Sequence, residues 1–214
     1  MLQVLTEQTS IIDDFLAELR DVKIQTDRAR FRNNVVRIGE ILAYEVSKHL
    51  PRVSVEVQTP LGIHKSLVQA NTPVLANVLR AGLTLHQGFL NYFDKADHAF
   101  VSAYRKHTND HEFEIVVEYM ASPSIQNRIL ILIDPMLATG RSMFLAYKAL
   151  LAKGTPSKVI VVSLIASEQG VAYIQQHMPE AAIFIAAVDP SLDENSYIVP
   201  GLGDAGDLAF GEKL

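Results

Sequence analysis

The sequence predicts an α/β protein with a central, mostly parallel sheet flanked by helices, and three observations carry that prediction. Short, largely apolar runs recur near residues 74–79, 99–104, 129–133, 159–165 and 183–188. Segments with helical periodicity separate them, and turn residues mark the junctions. Strands that are apolar on both faces and alternate with helices belong to a parallel sheet covered on both sides. Such sheets bind ligands beyond the carboxyl ends of their strands. The places to search are therefore the segments after Leu79, Tyr104, Ile133, Ile165 and Val188.

Residues 1–50 read as a helical segment. Ser10 followed by Asp13 is a capping pattern, and Ile12, Phe15, Leu16 and Leu19 share one face. A second stripe, Phe31, Val35, Ile38, Leu42 and Val46, follows Thr26 and Asp27 as cap candidates. Val53, Val55 and Val57 alternate with polar residues, predicting a half-exposed strand that ends in a turn at Pro60 and Gly62. Helices are predicted over 83–93, 142–153 and 168–177. The one long polar interruption, 105–114, reads as a flexible loop or hairpin over the site.

Of 214 residues, 49% are hydrophobic and 20% charged, enough apolar material for a sizeable core and too little charge for disorder. No linker divides the chain, so a single domain over 1–214 is expected. The absence of cysteine removes disulfides and thiolate catalysis and favours a cytoplasmic protein. The N-terminus lacks a basic start followed by an apolar run, and nothing approaches the roughly 18 apolar residues of a membrane span. Neither a membrane nor, at a net charge of −5, a nucleic acid is an expected partner. The local basic group Arg28, Arg30, Arg32 and Arg37 reads as a solvated helix face with internal ion pairs, with an anionic effector as the other reading.

The chemistry concentrates at 129–142, Ile-Leu-Ile-Leu-Ile-Asp-Pro-Met-Leu-Ala-Thr-Gly-Arg-Ser. A buried strand ends at Ile133, and Thr139, Gly140 and Ser142 mark the start of a helix. The loop between them lies where free backbone N–H groups and the helix dipole favour a phosphate, with the Thr139 and Ser142 hydroxyls as further donors. Asp134 has the chemistry to accept hydrogen bonds from two ribose hydroxyls. Phosphate at one end and an acid for a diol at the other describe a phosphorylated sugar, although an ordinary strand end and helix cap would use the same residues. No Gly-Lys-Ser/Thr occurs, so this is not a Walker loop.

Residues 201–206 satisfy G-x-G-x-x-G, but only eight residues follow Gly206, which leaves no room for a dinucleotide-binding unit. The glycines are better read as clearing side chains so that a small flat ligand reaches the main chain. His107 and His111 stand four apart and could share a metal, but their polar segment reads as solvated.

Four segments, in order, carry a family resemblance. Residues 134–142 are similar to the diphosphate-ribose loop of the uracil phosphoribosyltransferases, in which Pro, here Pro135, replaces the usual second acid. Leu79-Arg80-Ala81-Gly82 resembles that family's Leu-Arg-Ala-Gly turn. Tyr104-Arg105 resembles its Tyr-Arg pair, and 197–207 its C-terminal base-binding segment within 190–214. The resemblance implies a phosphoribosyltransferase-like fold that joins uracil to 5-phosphoribosyl 1-diphosphate, giving UMP and diphosphate in pyrimidine salvage.

The resemblance places the donor on Arg80, Arg105, Asp134, Pro135, Met136, Leu137, Ala138, Thr139, Gly140, Arg141, Ser142 and Asp204. It places uracil on Ile198, Gly203, Asp204 and Ala205, with Asp134, Arg105 and Asp204 as the catalytic candidates. It further implies Mg²⁺ carried mainly by the diphosphate with no dedicated protein metal site, a homo-oligomer (dimer or tetramer), and GTP as an effector in some members. Arg141 departs from the family's second Gly, and the segment after Arg105 departs from its acidic continuation. Competing readings are a purine phosphoribosyltransferase, an RNA-binding regulator on the same fold, and a non-enzymatic sugar-phosphate binder.

Overall fold

A computed structural model describes residues 1–109 and 112–213, and over 103–109 and 112–118 the backbone alone. In chain order the elements are β1 (Leu2–Val4), α1 (Ile11–Arg20), α2 (Arg28–Ser47), β2 (Arg52–Thr59), β3 (Gly62–Gln69), β4 (Val74–Leu79) and α3 (Gly82–Leu90). They continue with β5 (Asp97–Asn109), β6 (Glu112–Ala121), β7 (Ile129–Ile133), β8 (Met136–Leu137), α4 (Arg141–Leu150), β9 (Lys158–Ser167) and α5 (Glu168–His177). The chain ends with β10 (Ala182–Asp189), β11 (Ser191–Leu192), β12 (Ile198–Val199) and α6 (Ala205–Phe210).

The central sheet has the order β1-β10-β9-β7-β4-β5-β6, and β8 adds to β9. Every pairing is parallel except β5 with β6. The mostly parallel sheet expected from the apolar runs is therefore present. Successive residues of each strand feed opposite cores. Leu75, Ile131, Ile133, Val162 and Phe184 pack under α1, α2 and α3. Val74, Ala76, Leu130, Leu132 and Ile185 pack under α4 and α5. Each fully buried Leu or Ile contributes roughly 1.5–3 kcal/mol, so the sheet forms the rigid layer from which the loops project.

The caps follow the sequence closely. Ser10 and Asp13 form the reciprocal capping box of α1, while Asp27, not Thr26, caps α2 by accepting from the Ala29 and Arg30 N–H groups. Residues 105–109 and 112–114 of the polar interruption lie in antiparallel paired strands, with Arg105 opposite Ile115 in the register. Strand β2 continues through the expected turn into an antiparallel partner, β3, that has no alternating signature. Of the basic group, Arg30 pairs with Glu18, Arg32 donates to the Ala209 carbonyl, and Arg37 donates to Asn34 and lies over the Phe15 ring. The expected internal ion pairing is thus seen at Arg30, while Arg32 and Arg37 meet neutral partners. Hydrogen bonds from Arg30 and Asn34 hold the Glu18 carboxyl down to about 2.

Helix α3 carries the turn at Arg80, and two glycines set its distance from α2. A Cβ on Gly88 would stand 2.4 Å from the Val36 carbonyl oxygen, and one on Gly39 2.6 Å from that of Leu85. Backbone occupies both places, so neither contact can relax by a side-chain rotation. Gly88→Ala is expected to destabilise the fold by roughly 1–3 kcal/mol through overpacking, read as a lower urea midpoint with an unchanged slope.

Candidate functional site

The site is built at the carboxyl ends of β4, β7 and β9, the edge at which a parallel sheet presents its loops. After β7 the chain bends at Asp134, whose N–H donates to the Val162 carbonyl at 3.2 Å. Asp134 Oδ1 accepts from the Met136 N–H at 3.1 Å. Met136 and Leu137 then pair with Ile165 and Ala166 of β9, and the Ile165 N–H donates to the Pro135 carbonyl at 2.9 Å. The loop is thus pinned to the sheet along its length.

Its far end is pinned to α5. Ser167 Oγ donates to the Ala138 carbonyl at 2.6 Å and accepts from the Gly170 N–H at 2.9 Å. A side chain on Gly170 would stand 2.4 Å from the Leu137 and Ala138 carbonyl oxygens. The reversal into α4 is made by Gly140 at φ 73°, a left-handed conformation suited to glycine. Arg141 is already the first helical residue. Position 141 therefore does not adopt positive φ, which explains why a residue larger than glycine fits there.

A cavity of about 530 Å³ opens over this loop, of the size that takes a small ligand. Lining it are Arg80, Asp134, Met136, Leu137, Ala138, Thr139, Gly140 and Ser142 on one side, with Ile198, Gly203, Asp204 and Ala205 on the other. The sugar-phosphate half and the glycine-loop half, more than 50 residues apart in sequence, share one cleft. Two of the site positions stand back from it. Pro135 is buried beneath the loop, and Arg141 begins α4 outside the lining. The side chains of Arg105 and His107, together with residue His111, lie outside the described residues.

The C-terminal loop has its own supports. Arg20 on α1 forms a two-point pair with Asp189 at 2.7 and 2.8 Å and also donates to the Gly201 carbonyl at 2.8 Å. Asp189 in turn accepts from the Gly201 N–H at 2.9 Å. The G-x-G-x-x-G segment does lead into a helix, the six-residue α6, with Asp204 as its cap accepting from the Asp207 N–H at 3.0 Å. The strand before it, β12, pairs antiparallel with β11 outside the central sheet, so the segment does not open a parallel strand-helix-strand unit. Asp204 thereby orders the helix start while facing the cleft.

Sequence reasoning gave no individual role to Asn195, Ser196, Tyr197 and Lys213 of the C-terminal segment, which also line the cavity. It gave none to Asp207, whose carboxylate accepts from Arg80 at 2.8 Å. Arg80 also donates to the Gly211 carbonyl at 3.1 Å, and Lys213 stands 3.9 Å from Asp204. In this arrangement the C-terminal segment holds the cleft's cations.

Desolvation at the cleft floor pushes the Asp134 carboxyl up from 3.8 to about 7; the Met136 N–H opposes that rise and the nearby Asp204 charge adds to it. The folded protein thus binds a proton that the unfolded chain releases between about pH 4 and 7. Stability is fullest below that window and falls as pH rises through it. Asp134→Asn removes the charge. It is expected to raise stability at pH 8 by up to about 4 kcal/mol and to change nothing below pH 4, as read from denaturant curves at both pH values. A gain of equal size at both would separate it from ionisation.

Comparison with known proteins gives the family of the chain. The uracil phosphoribosyltransferase family model matches residues 5–212. A uracil phosphoribosyltransferase of Porphyromonas gingivalis is 57% identical over 206 residues, covering 96% of this chain and 95% of that one. The structure of the AQ2163 protein from Aquifex aeolicus is similar with a TM-score of 0.87 at 29% identity, over 99% of this chain and 98% of that one. A hypoxanthine phosphoribosyltransferase of Staphylococcus aureus is similar at a TM-score of 0.51 and 13% identity, over 91% and 93% of the two chains, a likeness of fold alone. The family match spans almost the whole length and includes both halves of the cleft; the chain belongs to the uracil phosphoribosyltransferase family.

Proposed function

We propose that this chain transfers the phosphoribosyl group of 5-phosphoribosyl 1-diphosphate to N1 of uracil, releasing UMP and diphosphate. The observation that supports it most is the meeting of the 134–142 loop with the 201–206 loop in one cleft. The N–H groups opening α4, with Thr139 and Ser142, suit the 5-phosphate. Asp134 suits the ribose hydroxyls. Ile198 and the main chain at Gly203 and Ala205 suit the edge and face of a flat pyrimidine. Positioning two bound reactants supplies a large part of such a rate, and the Arg80 guanidinium meets the charge that grows on the departing diphosphate.

The residues present fit Mg²⁺ delivered with the diphosphate. No group of three or more candidate metal ligands occurs among the described residues, while Asp134 and Asp204 offer carboxylate oxygens on the same cleft. Mg²⁺ takes its remaining ligands from phosphate and water, and when bound it supplies charge neutralisation of the leaving group. A donor hydroxyl is best accepted by ionised Asp134, so kcat/KM for the donor should rise toward a plateau as pH passes about 7. The deciding assay combines pure protein, donor, Mg²⁺ and each nucleobase, with and without GTP as the effector expected in some members. UMP formation is the expected result, and turnover of purines without uracil sinks the assignment. Arg80→Ala should lower kcat/KM by roughly 100-fold or more.

The same reading carries a homo-oligomer and a cytoplasmic placement, with no nucleic-acid or membrane partner; among the described residues no helix is long and apolar enough to cross a membrane. The hairpin β2–β3 supports self-association. Leu61, Ile63 and Leu67 are 99%, 67% and 71% exposed on it, and a lone two-stranded hairpin has little stability of its own in water. Light scattering on a sizing column should give a dimer or tetramer mass that falls in a Leu61→Ser, Ile63→Ser, Leu67→Ser variant. A monomeric parent would overturn the assignment.

A further inference from the structure

Among the described residues, three buried side-chain atoms lack a hydrogen-bond partner, and all three lie on one short segment: Asn77 Oδ1, Asn77 Nδ2 and Arg80 Nε. Asn77 is wholly buried on β4, in a strand that is otherwise Val, Leu and Ala. An unpartnered buried amide destabilises a fold relative to an apolar side chain of the same shape. Its presence in an apolar strand therefore calls for a use.

The surroundings point to one. In the sheet register Asn77 stands beside Ile133, the residue before Asp134, and it precedes Arg80 by three positions on the other side. A Cβ built on Gly82 would lie 3.1 Å from Asn77 Oδ1 and 3.1 Å from the Ile133 carbonyl oxygen. The amide, that carbonyl and the first residue of α3 thus meet at one point. Helix α3 opens without a side-chain cap, so its first-turn N–H groups are donors in want of an acceptor. A carbonyl oxygen can accept a second bond. Partners for both ends of the amide lie close by: the Ile133 carbonyl, and the first-turn N–H groups of α3, of which that of Leu83 turns back to the Arg80 carbonyl at 3.1 Å.

We propose that Asn77 is a positioning residue for the phosphoribosyl donor. As diphosphate takes Arg80 from Asp207, the 80–82 turn settles onto the Asn77 amide, which accepts from an α3 first-turn N–H and donates to the Ile133 carbonyl. The turn that carries Arg80 is then locked to the strand that carries Asp134, fixing the two groups that grip opposite parts of the donor. The inference rests on the reading of the cleft as a donor site.

The test compares Asn77→Val with Asn77→Thr in the full-length protein. These side chains are close in shape and both suit a strand, so the pair isolates the polar group. Asn77→Val is expected to melt above the parent without ligand and to raise the donor KM about tenfold, with the uracil KM within about twofold of the parent. Asn77→Thr, which retains a donor and acceptor, should recover most of the donor KM. Equal donor KM in all three proteins, or a Val variant that melts below the parent, overturns the proposal. A parent that forms no UMP, with no shift in melting temperature on adding donor and Mg²⁺, instead removes the reading of the cleft and this inference with it.

Discussion

The pairing of Arg20 with Asp189 is the interaction on which the two ends of the chain depend. It joins the last turn of α1 to the end of β10, and the same two side chains hold both the N–H and the carbonyl of Gly201. Asp189 is almost fully buried. A buried carboxylate is tolerable only when its oxygens are paired and hydrogen-bonded, and here one oxygen meets two donors and the other meets one. Removing Arg20 would strand that charge. The consequence for function is geometric. The base-facing loop has glycines at Gly201 and Gly203 with positive φ, so its shape comes from what it is tied to, with little from its own side chains.

The second organising feature is electrostatic. Asp134 and Asp204 face one cleft; burial is the main reason the Asp134 carboxyl is hard to charge, and the Asp204 charge adds to it. A ligand bearing hydroxyls, phosphate and a divalent cation relieves that tension from every side. The C-terminal acids meanwhile pair with Arg80 and approach Lys213, so the cleft's cations are already engaged before a diphosphate arrives. Exchange of one anionic partner for another changes the local charge less than filling an unpaired cationic pocket would, and it couples donor binding to the position of α6.

How much of this was legible follows from which residues carried a local signal. The apolar runs that became β4, β7, β9 and β10 are buried on both faces, and burial of that kind leaves no ambiguity of composition. The 134–142 loop was legible because a helix start and a strand end each have their own residue chemistry. Strand β3 was not, since Gly62–Gln69 is exposed along most of its length and carries no alternation. Helix α6 was missed because six residues present no periodicity. Asp207 and Lys213 entered the site through contacts across the fold, which no spacing encodes. Asn77 did leave a trace: one amide within an otherwise apolar strand.

Arg141 shows how a departure from a family pattern is absorbed. The turn into α4 needs one left-handed residue, and Gly140 supplies it at φ 73°. One position later the backbone is helical, so a long side chain costs nothing in conformation. The Arg141 N–H bends back to Thr139 Oγ1 at 3.4 Å. The side chain begins outside the cavity lining, where a positive charge adds to the field of the helix N-terminus without occupying the space a phosphate would take. The loop therefore keeps its shape through Gly140, Gly170 and the sheet pairing of Met136 and Leu137, and the left-handed conformation falls on Gly140 and not on position 141.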